Sequence, residues 1–273
     1  MIDLGIVKSE EVELLINDIM RIYGYDFSNY NRASLTRRIN RLCSIDSFSS
    51  FAVLRYRINN DKNYLQRFIE EIMVNVTEMF RDPLFYKTLR TEILPKLASY
   101  PFIRIWVAGC STGEEPISLA ILLKEANLYD KSLIYATDIN SSVLEKASSG
   151  IVATRNMRQY AENYIASSGV EDFSKYYRVF YEKVQFDRSL LERIIFSTHN
   201  LISDASFNEF QLILCRNVLI YFNKSLQDRV FTLFDQSLQT SGYLCLGSKE
   251  NIRFSVIEKR FKQVGRDKIW QKL

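Results

Sequence analysis

The stretch from Ile103 to Pro116, IRIWVAGCSTGEEP, constrains this chain more than any other. Ile103, Ile105 and Val107 form a short β-prone apolar run, which stops at Ala108-Gly109-Cys110-Ser111-Thr112-Gly113 and gives way to a helical pattern from Glu114 to Asn127. Strand, glycine turn and helix follow one another directly. Glycine at 109 and 113 permits a sharp turn and close backbone approach to a bound molecule, since no Cβ intervenes and positive φ is accessible. Glu114, Glu115 and Pro116 suit a first helical turn, where carboxylates meet the positive end of the helix dipole and proline loses no needed N–H. A nucleotide-like ligand fits across such a turn, and so does a plain βα connection with no ligand at all.

Downstream, strands and helices alternate, as in a mainly parallel sheet with helices on both faces. Leu133–Thr137 is read as the second strand, ending at Asp138; Arg193–Ser197 as the third, Phe210–Cys215 as the fourth and Tyr243–Leu246 as the fifth. Helices are read near Ser141–Ser148 and Ser225–Leu238, and Phe261–Lys272, around Gly265-Arg266-Asp267, turns like a hairpin that completes seven strands. Between Ile151 and Leu191 the pattern is weak, and an insertion without clear strands is expected. Upstream, Leu65, Phe68, Ile69, Ile72, Met73 and Val76 recur at helical spacing, as do Leu35, Ile39 and Leu42. Arg32, Arg37, Arg38 and Arg41 gather near the latter, offset nearby only by Asp26 and Asp46, either as a solvated helix face or as a docking surface for an acidic partner. Asp82-Pro83 reads as a helix start and Pro95 as an interruption. The expected organisation is a helical domain over 1–76, a linker over 77–100, and an α/β domain over 101–273 with an insertion at about 151–191.

The chain's 273 residues are 47% apolar and 25% charged, a globular balance, with no apolar run of bilayer-spanning length. Acidic residues occupy the N-terminal positions where a secretory signal would be basic and apolar, so a cytoplasmic protein is expected. Cys43, Cys110, Cys215 and Cys245 are scattered and His199 is the single histidine, which speaks against a metal site or a disulfide framework. A net charge of +4 is too mild to imply nucleic acid.

Ligands of open α/β sheets bind at the carboxyl ends of the strands. The residues there are the glycine turn, then Asp138, then His199-Asn200-Leu201, then Arg216-Asn217 with Tyr221 beyond. An acidic side chain ending the second strand can accept both hydrogen bonds of a ribose diol, or cap the next helix. Taken together, Asn75-Val76-Thr77-Glu78-Met79-Phe80-Arg81, Ala108 to Pro116, Ala136 to Asn140 and Cys215 to Phe222, with Gly242 to Asn251, resemble the CheR-type protein-glutamate O-methyltransferases that modify bacterial chemotaxis receptors. The resemblance spans nearly the whole chain.

It implies a class I, Rossmann-like S-adenosylmethionine-dependent methyltransferase fold, with a mostly parallel seven-stranded sheet ending in an antiparallel hairpin, preceded by a small all-α domain. It implies that Asp138 holds the ribose, that Asn200 and Leu201 border the adenine, and that Asn75, Thr77, Arg81, Gly109, Glu115, Arg216 and Asn217 complete the cofactor site. Arg81 and Tyr221 are the implied catalytic residues; from the residues alone, a surface arginine and a core tyrosine remain alternatives. The reaction needs no metal and no dedicated base, because a glutamate of pKa about 4.3 is already ionised. The product is S-adenosylhomocysteine. The partner implied is the cytoplasmic helical bundle of a chemotaxis receptor, met through Arg32, Arg37, Arg38 and Arg41 by a monomeric enzyme, with no nucleic acid and no membrane insertion. Some members carry a β-rich insertion that tethers a receptor tail peptide; the weak pattern over 151–191 speaks against tethering here. Met79 and Lys249 depart from the family's usual residues, which leaves as the alternative a domain that binds S-adenosylmethionine or another nucleotide as a regulator without transferring methyl groups. A small-molecule or nucleic-acid methyltransferase lacks support, because the fourth strand ends in Cys-Arg-Asn rather than an Asn/Asp-Pro-Pro-aromatic run.

Overall fold

The structure, a computed structural model, describes residues 7–23, 27–28, 30–72 and 77–273. These fall into two compact units: Met1–Asn75 with Ile220–Gln227, and Val76–Leu219 with Asp228–Leu273. Among the described residues no helix is long and apolar enough to cross a membrane.

The first unit contains α1 (Ser9–Tyr23), α2 (Arg32–Ile45), α3 (Phe51–Asn60) and α4 (Lys62–Ile72). Asn31 and Ser50 start α2 and α3 by accepting hydrogen bonds from Ser34 N (3.0 Å) and Val53 N (3.4 Å), groups that have no partner inside the helix. The apolar stripes read from the sequence are the buried ones: Leu35, Ile39 and Leu42 on α2, and Leu65, Phe68, Ile69 and Ile72 on α4. Met73 and Val76 lie outside the described residues, as does Asp26. Asp18 of α1 is buried and ties α1 to α3 through Arg55 (2.6 Å) and Asn59 (2.7 Å).

In the second unit β1 (Ile103–Ala108), α7 (Glu114–Glu125), β2 (Ser132–Asp138), α8 (Ser141–Ser149), β6 (Ile194–Thr198), β7 (Phe210–Cys215), α10 (Lys224–Ser237), β8 (Leu238–Leu246), β9 (Phe261–Gln263) and β10 (Ile269–Lys272) follow the expected alternation, α10 beginning in the short segment assigned to the helical unit. The sheet order is β6-β2-β1-β7-β8-β10-β9. The first five strands are parallel, whereas β10 runs antiparallel to both β8 and β9, so the C-terminal hairpin is as expected. Every residue of β7 is buried, Gln211 included, as befits a central strand of a parallel sheet covered on both faces. The order reverses between β1 and β7, the place where such sheets open a crevice at their carboxyl edge.

One expectation needs correction. The insertion is stranded: β3 (Ile151–Ala153), β4 (Tyr177–Phe180) and β5 (Lys183–Phe186) form an antiparallel sheet of order β3-β5-β4, and α9 (Met157–Ala166) lies between β3 and β4. The ground for doubting a tether therefore falls. Strands of three or four residues are too short to display a period, and most of β4 is exposed, so no apolar alternation marks it. The interruption expected at Pro95 is a local one. From α5 (Pro83–Thr88) the chain passes through a π-turn, Leu89–Ile93, into α6 (Leu94–Leu97). The wider turn accommodates a proline that lacks the N–H for the regular ladder.

Candidate functional site

At the carboxyl edge of the sheet the glycine turn folds back on β2. The N–H groups of Gly109 and Cys110 both donate to Thr137 O, at 2.8 and 2.9 Å. Gly109 has φ 79°, and a Cβ there would stand 2.5 Å from Val218 Cγ2; at Gly113, φ 95°, it would meet Ala147 Cβ at 2.9 Å. Both positions thus exclude other residues on conformation and on space. Asp138, at the tip of β2, accepts from Ser111 N and Asn140 N, each at 3.0 Å. Its other role, capping α8, belongs instead to Asn140, whose Oδ1 accepts from Ser142 N. Burial pushes the Asp138 carboxyl above its ordinary range, against the backbone donors that favour its ionised form. Its carbonyl accepts from His199 N at 3.1 Å, which brings the Asn200–Leu201 loop beside it. There Asn200 Oδ1 takes Ile202 N at 2.9 Å in a local turn, and Leu201 is buried.

Arg216, after β7, is the hub of the opposite side. Its side chain is 3% exposed and donates to Glu115 Oε1 (2.8 Å), Asp82 Oδ2 (2.7 Å) and the carbonyl of Arg81 (2.9 Å), with the Phe85 ring 4.2 Å beneath the guanidinium. Burial, the largest single influence, opposes its charge, but Glu115, Tyr86 and Asp82 together more than offset it, and the guanidinium pKa is raised. Glu115 and Arg216, expected to face a ligand, are therefore engaged with each other. The peptide they hold is unusual: Phe80 and Asp82 flank the half-buried Arg81 with φ 51° and 58°. Left-handed non-glycine residues cost of order 1–3 kcal/mol each and persist only where neighbours over-determine them. Asp82 consequently makes no side-chain cap for α5, since its carboxylate is committed to Arg216.

Sequence reasoning missed Glu250. Buried beyond β8, its carboxylate accepts from Asn217 N (2.9 Å), Leu219 N (2.8 Å) and Gly247 N (2.6 Å), holding Asn217 at φ 61°. Only its place in GSKEN, which resembles the family, could have singled it out. Ser111 Oγ and Asn217 Oδ1 are buried without a hydrogen-bond partner among the described residues. Such atoms at a crevice suit a polar ligand. A cleft of about 360 Å³ on the Arg216 side is lined by Asp82, Pro83, Phe85, Arg216, Leu246 and Ser248 among others.

The remaining expected residues are placed as follows. Thr77 is half-buried at the start of the segment leading to Arg81, and Asn75 lies outside the described residues. Tyr221 belongs to the helical unit, where its carbonyl accepts from Asn31 N at 2.9 Å and Arg38 sits 5.5 Å over its ring. The basic face of α2 is less wet than expected. Arg32 is half-buried, ion-pairs with Glu13, and donates to the carbonyls of Phe27, Ser28 and Tyr30. Arg38 is half-buried and donates to Glu71 O at 3.2 Å, while Arg41 pairs with Glu71 Oε1 at 3.2 Å. The offsetting acids come from α1 and α4, distant in sequence, which a local count of charges does not see. Arg37 and Arg41 are exposed.

Two family models match in chain order: "CheR methyltransferase, all-alpha domain" over residues 10–73 and "CheR methyltransferase, SAM binding domain" over 75–269. The chain belongs to the CheR methyltransferase family. It is 45% identical over 254 residues to a putative methyltransferase Cher3 of Pseudomonas putida, covering 92% of each chain. It is 31% identical to the chemotaxis protein methyltransferases of Listeria monocytogenes, over 86% of this chain and 87% of the relative, and of Salmonella typhimurium, over 86% and 79%. Its larger unit has the fold of class I S-adenosylmethionine-dependent methyltransferases, and its cofactor is S-adenosylmethionine. The residues at the carboxyl edge fit that group: a glycine turn no Cβ could enter, a carboxylate at the end of β2, and orphaned polar atoms at Ser111 and Asn217.

Proposed function

We propose that this CheR methyltransferase esterifies glutamate side chains on the cytoplasmic helical bundle of a chemotaxis receptor, yielding glutamate methyl esters and S-adenosylhomocysteine. In this reading Asp138 takes the ribose diol, Asn200 and Leu201 border the adenine, and Thr77, Gly109, Glu115 and Asn217 surround the amino-acid end of the donor. Bound there, S-adenosylmethionine supplies an electrophilic methyl group on a cationic sulfur.

The rest falls to the chain's own side chains. Arg81 holds the acceptor carboxylate in a guanidinium fork, which keeps that carboxylate ionised and aimed. Arg216 does not touch the acceptor; it fixes the backbone of Arg81 through the carbonyl and the start of α7 through Glu115. The exposed Arg37 and Arg41 on α2 meet acidic residues of the receptor.

The observation that carries this reading is the fastening of the strained Arg81 peptide to the end of β7 by a buried arginine, in a chain matching chemotaxis protein methyltransferases across at least 86% of its length. The test is incorporation of tritiated methyl groups into receptor-enriched membranes. Label released by mild base identifies carboxyl methyl esters; base-stable label, or none, would reject the proposal.

A further inference from the structure

Helix α9 of the insertion touches both segments that carry the donor-site residues. Tyr160, Asn163 and Tyr164 stand at i, i+3 and i+4 and so share one face. Tyr160 OH donates to Glu114 Oε1 at 3.2 Å, and the Thr112 hydroxyl donates to Glu114 Oε2 at 2.7 Å, which fastens the end of the glycine turn. Asn163 Nδ2 donates to Met79 O at 3.0 Å and reaches Glu78 Oε2 at 3.4 Å; its own Oδ1 accepts from Gln159 at 3.0 Å, which fixes the amide's orientation. The Tyr164 ring meets the Phe80 ring edge-on, with centroids 5.2 Å apart.

The two polar atoms of the Met79–Phe80 peptide are thereby both committed. Its carbonyl takes Asn163, and its N–H donates to Ser118 Oγ of α7 at 3.0 Å. This is the peptide that enters the left-handed Phe80 and hence sets the direction of Arg81. A conformation of that kind is held from outside rather than by its own preference, and α9 supplies one of the two grips.

We propose that Asn163 and Tyr160 are positioning residues for methyl transfer: Asn163 holds the Thr77–Asp82 segment, and Tyr160 the glycine turn, in the conformations that present Arg81 and Glu115. This rests on the reading of Thr77 and Glu115 as donor-site residues and of Arg81 as the residue that holds the acceptor. The insertion is on this view part of the donor site's scaffold and not only an appended module.

Three variants test it. Asn163→Ala removes the donor; Asn163→Asp keeps the volume but turns an acceptor toward Met79 O and Glu78; Tyr160→Phe keeps the ring and removes only the hydroxyl. In Asn163→Ala, affinity for S-adenosylhomocysteine by calorimetry is expected to fall about tenfold, as a buried carbonyl loses its partner. Asn163→Asp should fall further, although a role in packing alone would spare it. Tyr160→Phe should lose about threefold. Amide exchange over residues 77–82 should quicken in both Asn163 variants, and on receptor-enriched membranes kcat should drop more than KM rises. Val184→Ala, in the core of the insertion's small sheet, controls for general destabilisation: it should lower Tm while leaving affinity and exchange at 77–82 unchanged. Wild-type affinity and exchange in Asn163→Asp, or the same losses in Val184→Ala, would overturn the proposal. Affinity and exchange need no acceptor, so a wild-type enzyme that failed to methylate receptors would count against the proposed function and leave these readouts to decide this inference.

Discussion

Arg216 Nη1 and Glu115 Oε1 lie 2.8 Å apart across 101 residues of sequence, and the pair joins the end of β7 to the first turn of α7. Removing one member of a buried pair leaves the other charge without compensation, at a cost of about 3–5 kcal/mol. Arg216→Ala strands the Glu115 carboxylate, releases the partly exposed Asp82 carboxylate, and frees the Arg81 carbonyl. A large fall in the denaturant midpoint is therefore expected. Arg216→Lys keeps the charge but cannot reach three acceptors with a fixed fork, and should fall between the two. An unchanged midpoint in Arg216→Ala would refute this account of the hub.

On the proposed reading of the ribose site, Asp138 links cofactor binding to pH. Burial raises its pKa, so the carboxylate takes up a proton at a higher pH than an ordinary aspartate of 3.8. Two ribose hydroxyls need an ionised acceptor. Affinity for S-adenosylhomocysteine should be full above the raised pKa and lost as pH falls through it, beginning before unperturbed carboxylates protonate. Asp138→Asn should bind weakly at all pH values and lack this step. Calorimetry between pH 4 and 8 makes the comparison; a wild-type profile flat over that range would remove Asp138 from the ribose.

In the helical unit the sign is reversed. Arg55, foremost, together with Asn59 and Arg21, holds the buried Asp18 carboxyl down, from 3.8 to about 2. A carboxyl whose folded pKa is depressed stabilises the fold above its unfolded pKa, and that stability is lost as pH falls through the folded value. Between about pH 4 and pH 2 the unit should lose of order 1–2 kcal/mol, discounted because Arg55 is partly exposed. Hydrogen exchange of α1 and α3 amides reads the loss. Asp18→Asn should be less stable near neutrality and show no such step.

How much of this was legible beforehand depends on the range over which each feature is determined. The β1–turn–α7 unit, the parallel strands and the terminal hairpin follow from local periodicity and glycine placement, and they appear where Ile103–Pro116 and Phe261–Lys272 put them. The insertion's sheet does not, because β3, β4 and β5 are stabilised by pairing with each other and are too short to carry a pattern of their own. The site divides in the same way. Asp138 and the glycine turn announce themselves by position after a strand. Glu250, Asn163 and the partners of Arg32 and Arg41 act through contacts that close over long stretches of sequence, such as Glu250 with Asn217 or Asn163 with Met79. The same holds for Arg216: its residue type is visible, but its use as a tether for Asp82 and Glu115 is set by packing alone.

The strongest demand on the proposed mechanism falls on Arg81. Its carbonyl is held by Arg216 and its neighbours Phe80 and Asp82 stand at positive φ, so its backbone is fastened by groups that Arg81→Ala leaves in place. Arg81→Ala should consequently leave the fold intact: Tm is expected to stay near that of the wild type, unlike Arg216→Ala. What it removes is the guanidinium to which the proposed mechanism gives the task of keeping an acceptor carboxylate aligned and charged. Methyl transfer should slow by roughly tenfold to a thousandfold, or about 1.4–4 kcal/mol of barrier. S-adenosylhomocysteine affinity should change far less than the rate. Arg81→Lys retains a positive charge without the planar fork, and an intermediate rate there would separate charge from geometry. Measuring tritiated methyl transfer beside calorimetric affinity on the same preparations makes the distinction. Full activity in Arg81→Ala, or a loss confined to cofactor affinity, would show that the acceptor is held by some other residue.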